Sequence, residues 1–265
     1  MQKTFLVAQT SRVSCTSDPD EALTSIAVRG QWDAELRTET ARALRACVTE
    51  TPRAVLADLS DLGDPAGNSA QTWQTAARFA SESRIPTRIL VCAAPPRVRR
   101  RLTAESARYP VAVADSIGAA RVLLGPFQGW NHRRFALRLP PEPASVVAAR
   151  ALAGAACVEY HLAHLIHPAR LIISELAANA VEHAETDFAV QVSVRGPLLH
   201  LAVRDQDPQQ PHLIEAGPGP ASTALLARGC GLRVVTEAAT AWGALPCPDG
   251  KTVWATLAIG GRPLP

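Results

Sequence analysis

Apolar residues in the first half of the chain recur with two different spacings, one typical of strands and one typical of helices. Short apolar runs predict strands at residues 25–28, 54–59, 88–92 and 111–114. Apolar positions three and four apart predict helices at residues 34–48, 70–83 and 116–124, with a further helix opened by Pro95 and Pro96. Strands that alternate with helices of this length predict βαβ units and a mostly parallel sheet covered on its faces.

The second half has a different order of elements. Its periodicity predicts strands at residues 135–139, 188–194 and 198–205, and helices at residues 144–157, 168–184 and 231–238. Gly196 and Pro197 form a turn between two of these strands, and a last hairpin is predicted from residues 240–242 and 252–257. Residues 206–230 are rich in Pro, Gly, Ala and Ser and predict a long functional or mobile loop. Strands with helices grouped together predict an α/β sandwich with its helices on one face.

A break in the periodicity separates the two halves. Residues 125–134 contain two glycines, a proline and no helical or strand period, which is typical of a linker. We therefore expect an α/β chain with one domain over residues 1–124, a linker over residues 125–134 and a second domain over residues 135–265.

Composition narrows the class of protein. An apolar fraction of 47% with 19% charged residues predicts globular domains rather than disorder. The formal net charge of +3 is too small to indicate direct nucleic-acid binding. The six cysteines are far apart and form no CxxC pair, which argues against a zinc site and for reduced, cytosolic thiols. No apolar stretch reaches the about 20 residues of a membrane helix, and no signal peptide is apparent, so we expect a cytoplasmic protein without membrane contact.

One predicted helix carries a polar stripe. Glu175, Asn179 and His183 recur every four residues and share one face of the predicted helix 168–184, while its other face is apolar. A carboxylate beside a carboxamide is able to hold a hydrated Mg²⁺ and a proton acceptor, because Mg²⁺ takes oxygen ligands and keeps several waters. From the spacing alone, a solvated polar helix face is the competing interpretation.

The second half, residues 133–259, resembles the anti-sigma-factor serine kinases of the GHKL ATPase superfamily in the order of several short motifs. The motifs are Ala149-Arg150, Ser174-Glu175-Leu176, Asn179-Ala180-Val181, His183-Ala184, Val203-Arg204-Asp205, Gly229-Cys230-Gly231-Leu232, Trp242-Gly243 and Gly250-Lys251-Thr252-Val253-Trp254. Each motif alone is weak, whereas their order and spacing together are specific. The resemblance implies a Bergerat α/β sandwich that binds ATP and Mg²⁺.

The resemblance also implies roles for individual residues. It implies that Asn179 binds Mg²⁺ and that Glu175 is the general base that accepts the proton of a serine hydroxyl. His183 either lines the phosphates or packs as an ordinary helix residue. Asp205 is implied to accept a hydrogen bond from the adenine amino group, against the alternative of a turn residue that ends a strand. The remaining residues implied to bind the nucleotide are Gly229, Gly231 and Leu232, with residues 209–228 as a lid.

The chain departs from the family pattern beside Asp205. The related ATPases often have D-x-G-x-G at this point, whereas this chain has Asp205-Gln206-Asp207-Pro208. The glycines of that pattern let the backbone approach the nucleotide closely, so their absence puts the affinity in doubt. Lys251 follows a turn glycine and is interpreted as structural or peripheral, with a phosphate contact as the alternative.

The first half, about residues 20–124, resembles more faintly the anti-sigma-factor antagonist (STAS) domain. Gly30-Gln31-Trp32-Asp33, the strand at residues 54–60 and the loop Asp64-Pro65-Ala66-Gly67 carry this likeness. The STAS family has Asp-Ser-Ser-Gly at that loop and is phosphorylated there. Pro65 occupies the serine position and has no hydroxyl, so we expect a degenerate domain that is not switched at this position. Ser60 and Ser69 are the nearby hydroxyls.

Two functional hypotheses from different classes follow. In the first, the chain is a protein serine/threonine kinase that binds Mg–ATP, phosphorylates a separate antagonist and holds a sigma factor, which would regulate transcription by partner switching. In the second, it is a catalytically weak or inactive nucleotide-binding scaffold that regulates its partners by binding. Glu175 with Asn179 favours the first hypothesis, while Pro65 and the missing glycines favour the second. The implied partners are a sigma factor, a STAS-type antagonist or both, and because kinases of this type are often dimers, a homodimer is among the implied assemblies.

Overall fold

The computed structural model describes residues 4–7, 10–18, 20–104, 109, 111–126, 134–211 and 231–260. The chain divides into two compact units. The N-terminal unit comprises Val7–Gln128 with Leu245–Cys247, and the C-terminal unit comprises Met1–Leu6, Gly129–Ala244 and Pro248–Pro265. No helix among the described residues is long and apolar enough to cross a membrane.

The N-terminal unit contains a five-stranded sheet in the order β2-β3-β5-β7-β8. Its strands, with the two-residue pair β4 and β6, are β2 (Val13–Asp18), β3 (Leu23–Val28), β4 (Gly30–Gln31), β5 (Ala54–Asp58), β6 (Leu62–Gly63), β7 (Arg88–Cys92) and β8 (Ala112–Ala114). Its helices are α1 (Ala34–Thr49), α2 (Ala70–Glu82), α3 (Pro96–Leu102) and α4 (Ile117–Leu124). β2 is antiparallel to β3, and the other neighbouring strands of this sheet run parallel. The mostly parallel βα arrangement matches the prediction from the periodicity, to which the structure adds β2.

The C-terminal unit contains a six-stranded sheet in the order β1-β12-β13-β11-β10-β9. Its strands are β1 (Thr4–Leu6), β9 (Phe135–Leu139), β10 (Phe188–Arg195), β11 (Leu198–Asp205), β12 (Ala241–Cys247) and β13 (Gly250–Ala258). Its α-helices are α5 (Pro143–Glu159), α6 (Ile166–Asn179) and α7 (Gly231–Ala238), and a 3₁₀ turn (Ala163–Leu165) precedes α6. β9, β10, β11 and β13 form a continuous antiparallel ladder.

The core of the C-terminal unit lies between this sheet and its helices. Alternate strand residues such as Val190, Val192 and Leu201 pack with buried helix residues such as Ile172 and Leu176. Since successive side chains of a strand point to opposite faces, one face of the sheet carries the helices. The predicted α/β sandwich with helices on one face is therefore confirmed.

The helix with the polar stripe differs from its prediction. The sequence predicts one α-helix over residues 168–184, but α6 ends at Asn179 and the next five residues, Ala180–Ala184, form a π-helical turn. A π turn bonds i to i+5 and rotates less per residue than an α-helix, so it moves His183 off the line through Glu175 and Asn179. Apolar spacing does not reveal such a change, because these residues also fit a period of 3.6.

β1 is an edge strand that the periodicity did not predict. It pairs in parallel with β12, with Phe5 opposite Gly243, and the Phe5 ring stacks on Trp254 with centroids 6.5 Å apart. Gly243 allows this close approach, because a Cβ atom at this position would collide with the Phe5 carbonyl oxygen and lie 2.9 Å from the Trp254 ring. Three residues are too few to show a period in the sequence.

We predict that Gly243→Ala weakens the pairing of β1 with β12. The collision involves backbone, which cannot move aside as a side chain does, so overpacking is expected to cost about 1–3 kcal/mol. Hydrogen exchange measured by mass spectrometry should show at least about tenfold faster exchange at residues 4–6. Gly260→Ala is the matched control, because a Cβ atom there meets nothing within 4 Å. Equal protection in the two variants would contradict this packing.

Candidate functional site

Glu175 and Asn179 lie one turn apart on α6, as the sequence predicts. Both residues are half-buried, whereas Leu176 and Ala177 between them are buried in the core. Arg150 on α5 donates from Nε to the Ser174 hydroxyl at 2.9 Å and so links the two helices beside Glu175. The stripe is thus held at the edge of the core rather than on a fully solvated face.

The Asn179 side chain carries a buried amide donor. Its Nδ2 atom is buried and has no hydrogen-bond partner among the described residues. A buried amide donor without a partner costs about 1–3 kcal/mol, so a bound ligand or water that accepted its hydrogen bond would recover that cost. The amide also presents an oxygen, which is a ligand type that suits Mg²⁺. The donor set of Asn179 therefore fits a Mg²⁺ and phosphate site.

Glu175 faces the start of α7. A Cβ atom added at Gly231 would lie 2.6 Å from the Glu175 Oε2 atom, so the carboxylate rests against the first residue of that helix. Within the described part of the chain, no hydrogen bond or ion pair occupies this carboxylate. The first N–H groups of a helix have no partner inside the helix and favour anions, so a carboxylate and a phosphate group are both suited to this place. Gly229, which the sequence also suggests for this site, lies outside the described residues.

Leu232 has its side chain in the core rather than in the open site. It is 6% exposed and packs in the hydrophobic cluster of the C-terminal unit. Only its main chain, in the first turn of α7, is placed to contact a ligand. Of the lid predicted over residues 209–228, residues 212–228 lie outside the described part of the chain.

Asp205 ends β11 and is bound by a lysine from the neighbouring strand. The register places Asp205 opposite Lys251 of β13, and the Lys251 Nζ atom donates to Asp205 Oδ1 at 3.0 Å. The same ammonium donates to the Asp207 carbonyl oxygen at 3.0 Å and to Asp207 Oδ2 at 2.9 Å. The side chains of Lys251 and Asp205 are 7% and 3% exposed, so this is a buried ion pair. Lys251 is thus structural, as the sequence suggests, but central rather than peripheral.

Burial and the Lys251 ammonium together raise the pKa of Asp205 and lower the pKa of Asp207. Burial raises the pKa of Asp205, and the hydrogen bond and positive charge of Lys251 oppose this without cancelling it. Burial also acts to raise the pKa of Asp207, but the bonds from Lys251 and the Gln209 amide, with the charges of Lys251 and His183, lower it overall. Asp207 is therefore the more firmly ionised carboxylate of the two.

His183, the third residue of the polar stripe, lies beyond the end of α6. It lies on the π turn, its side chain is exposed, and its charge acts on Asp207. This position is compatible with a phosphate contact, and the role of His183 remains a prediction.

In the N-terminal unit, the loop of Asp64 is tied to the start of α2. The two Asp64 carboxylate oxygens accept from the backbone amides of Asn68 and Ser69 at 3.0 and 2.8 Å. Ser69 is fully buried, with no hydrogen-bond partner for its hydroxyl among the described residues, whereas Ser60 is exposed in a turn. Burial makes Ser69 inaccessible to a kinase in this conformation.

The described residues contain no ready-made metal cluster. No group of three or more His, Cys, Asp and Glu side chains is placed to hold a metal ion within the described part of the chain. The cysteines among the described residues are buried and free of disulfides. A metal at Asn179 would therefore draw most of its oxygen ligands from phosphate and water.

Comparison with known families finds a match within the C-terminal unit. Residues 139–257 match the family model of the histidine kinase-like ATPase domain. The matched residues are similar to that domain over less than half of the chain. The match spans Glu175, Asn179, Asp205 and Lys251, and it extends from the end of β9 to the end of β13. The curated proteins contain no match to the chain.

Domains of this histidine kinase-like type bind ATP, and Asn179, the start of α7 and Asp205 all lie within the matched residues. Sequence reasoning missed the part played by Lys251 and Asp207. The signal that identifies it is the β11–β13 register, which follows once Gly250 is recognised as the start of the strand opposite Asp205.

Proposed function

We propose that the chain binds Mg–ATP in its ATPase domain and transfers the γ-phosphoryl group to a serine of an antagonist protein. In this role it would act in partner-switching control of a sigma factor. The observation that carries the proposal is the pair on α6: an Asn179 amide with an unpartnered buried donor, and one turn earlier a Glu175 carboxylate without a partner among the described residues. The match to the histidine kinase-like ATPase domain supports ATP as the ligand.

Each residue then has a definite task. Asn179 Oδ1 would bind Mg²⁺, and the first N–H groups of α7 would hold phosphate oxygens. When bound, Mg²⁺ neutralises the charge that the phosphates carry. Glu175 accepts the proton of the attacking serine hydroxyl. The serine oxygen forms a bond to the γ-phosphorus while the bond to the β–γ bridging oxygen breaks, and ADP leaves.

The N-terminal unit supports a regulatory role for the chain. Its antiparallel β2 followed by parallel strands, and a loop that precedes α2, agree with the STAS-type domain expected from the sequence. Pro65 offers no hydroxyl and Ser69 is buried, so we infer that the unit is a degenerate antagonist domain that binds without being phosphorylated at this loop. A homodimer and a cytoplasmic location stay predictions from the sequence.

A non-catalytic scaffold is the second candidate, and one observation favours it. The residues after Asp205 lack the glycines of related ATPases. The deciding experiment incubates the full chain with γ-labelled ATP, Mg²⁺ and each STAS-type antagonist of its own genome. The kinase proposal predicts label on a serine of one antagonist. If ATP binds and no antagonist acquires label, the scaffold function stands and the kinase function fails.

A further inference from the structure

The Asp205–Lys251 pair is buried, and the three donors of the ammonium are all used. An ammonium group has three N–H donors, and Lys251 gives one each to Asp205 Oδ1, the Asp207 carbonyl oxygen and Asp207 Oδ2. No donor is left over for a phosphate oxygen, so Lys251 has no role as a phosphate ligand in this arrangement. Its bonds act on Asp205 and on the Asp207 turn that follows it.

Two bonds converge on one oxygen of Asp205. Oδ1 accepts from Lys251 Nζ and from the Asp207 backbone N–H, both at 3.0 Å, whereas no donor among the described residues reaches Oδ2. Bonds to one oxygen fix the plane of the carboxylate and leave the other oxygen as a directed acceptor. The site therefore presents a single acceptor atom of known orientation at the end of β11.

Close backbone contacts at Gly250 hold the register between β11 and β13. Gly250 has φ +157°, and a Cβ atom there would collide with the Asp205 carbonyl oxygen and lie 2.5 Å from the Gln206 Cα atom. The start of β13 therefore approaches the end of β11 closely, which brings Lys251 opposite Asp205. Asp207 folds its side chain back onto Lys251 instead of leaving this turn open, so a lysine clamp occupies the place where related ATPases have glycines.

We propose that Lys251 is a positioning residue that holds Asp205 Oδ1 and turns its Oδ2 atom toward the amino group of the nucleobase, so that Lys251 sets the preference of the site for adenine. This inference rests on the proposed nucleotide-binding function. Adenine offers an amino donor to Oδ2, while hypoxanthine has a carbonyl oxygen at the same position, which a carboxylate repels. Lys251 would therefore influence base preference without touching the base.

The charges around Asp205 determine how its capacity to accept a hydrogen bond depends on pH. Among the described residues, the charged groups near this end of the strand are Lys251, Asp207 and His183, and the adjacent Arg204 is paired with Asp249 at 2.9 Å. Because burial raises the pKa of Asp205, the acceptor is lost as the pH falls through that raised pKa. Without the Lys251 ammonium the carboxylate loses its counter-charge, so Asp205 takes up its proton at a higher pH.

The first test needs no nucleotide. The carboxyl carbon of Asp205 is followed by NMR during a pH titration of the full chain, in wild type, Lys251→Met and Lys251→Arg. We expect the midpoint for Asp205 to move to higher pH in Lys251→Met and to stay close to wild type in Lys251→Arg, which keeps the charge. An unchanged midpoint in a folded Lys251→Met protein would overturn the coupling.

The second test measures base preference as the ratio of ATP to inosine triphosphate affinity with Mg²⁺, from about pH 5 to pH 8. The ratio cancels phosphate titration, which both nucleotides share. We expect wild type to favour ATP by about tenfold or more, and Lys251→Met to lose most of that preference, first at acid pH. Asp249→Asn, which removes an exposed carboxylate paired with Arg204 beside this strand end, is the charge control and should keep the preference for ATP.

The outcomes separate the role of Lys251 in base preference from the proposed nucleotide-binding function. If Lys251→Met fails to fold, Lys251→Arg and Asp205→Asn are compared instead. The loss of ATP preference at acid pH should persist in Lys251→Arg and vanish in Asp205→Asn. If wild type binds ATP and the ratio is the same in Lys251→Met, Lys251 does not set base preference. If wild type binds neither nucleotide, the base-reading role and the proposed function fail together, while the NMR titration still reports whether Lys251 controls Asp205.

Discussion

Glu175→Gln is expected to reduce phosphoryl transfer to the antagonist by about 10²–10⁴-fold, the usual contribution of a general base. Glutamine has nearly the same shape as glutamate and keeps the packing against Gly231, but it cannot accept a proton from the serine hydroxyl. Affinity for Mg–ATP should stay within about threefold of wild type, because the proposed ligands of the nucleotide are other groups. Single-turnover transfer of labelled phosphate, with ATP binding measured in parallel, checks both statements.

The matched control for this substitution is Glu159→Gln. Glu159 is an exposed residue at the end of α5, and the same chemical change there should leave transfer and binding unaltered. Transfer by Glu175→Gln at the wild-type rate would remove Glu175 from the chemistry. Loss of ATP binding together with transfer would show that Glu175 supports the site rather than the proton transfer.

Asn179→Ala is expected to weaken Mg²⁺-dependent ATP binding by about 10–100-fold, the worth of one hydrogen-bonding or ligand contact to a charged group. The substitution removes the oxygen proposed for Mg²⁺ and also the buried Nδ2 donor, which has no protein partner among the described residues. Because no protein hydrogen bond to that donor is lost, the fold should keep most of its stability. Titrating Mg²⁺ at fixed ATP separates the metal contribution from general nucleotide affinity.

Asn68→Ala is the matched control for Asn179→Ala. Asn68 is an exposed residue of the N-terminal unit, so its side chain should have no effect on the Mg²⁺ dependence. An identical Mg²⁺ dependence in wild type and Asn179→Ala would exclude Asn179 as a metal ligand. A large fall in thermal stability of Asn179→Ala would instead assign Asn179 a structural role.

The sequence allowed the layers of the fold to be predicted because its periods are strong. The alternation through β10 and β11 and the helical spacing through α6 identified a sheet with helices on one face. The short strand β1 and the π turn at Ala180–Ala184 were not predicted. β1 has too few residues to show a period, and its place depends on a partner strand more than 200 residues away in the sequence. The π turn preserves the apolar spacing of an α-helix.

The site residues that lie close together in the sequence could be predicted, whereas those that strand pairing brings together could not. Glu175 and Asn179 are four residues apart on one helix, so helix geometry alone brings them together. Lys251 and Asp205 are far apart in sequence and meet only because β11 and β13 pair. Side-chain type did not reveal this, since a lysine after a turn glycine is usually exposed, whereas here it is buried against two carboxylates.

The most direct test of the account is a crystal structure of the full chain with Mg²⁺ and a non-hydrolysable ATP analogue. We expect the Asn179 oxygen in the Mg²⁺ shell, the phosphates at the start of α7 beside Glu175, and the adenine amino group on Asp205 Oδ2. A nucleotide bound elsewhere, or one whose metal does not contact Asn179, would contradict the account.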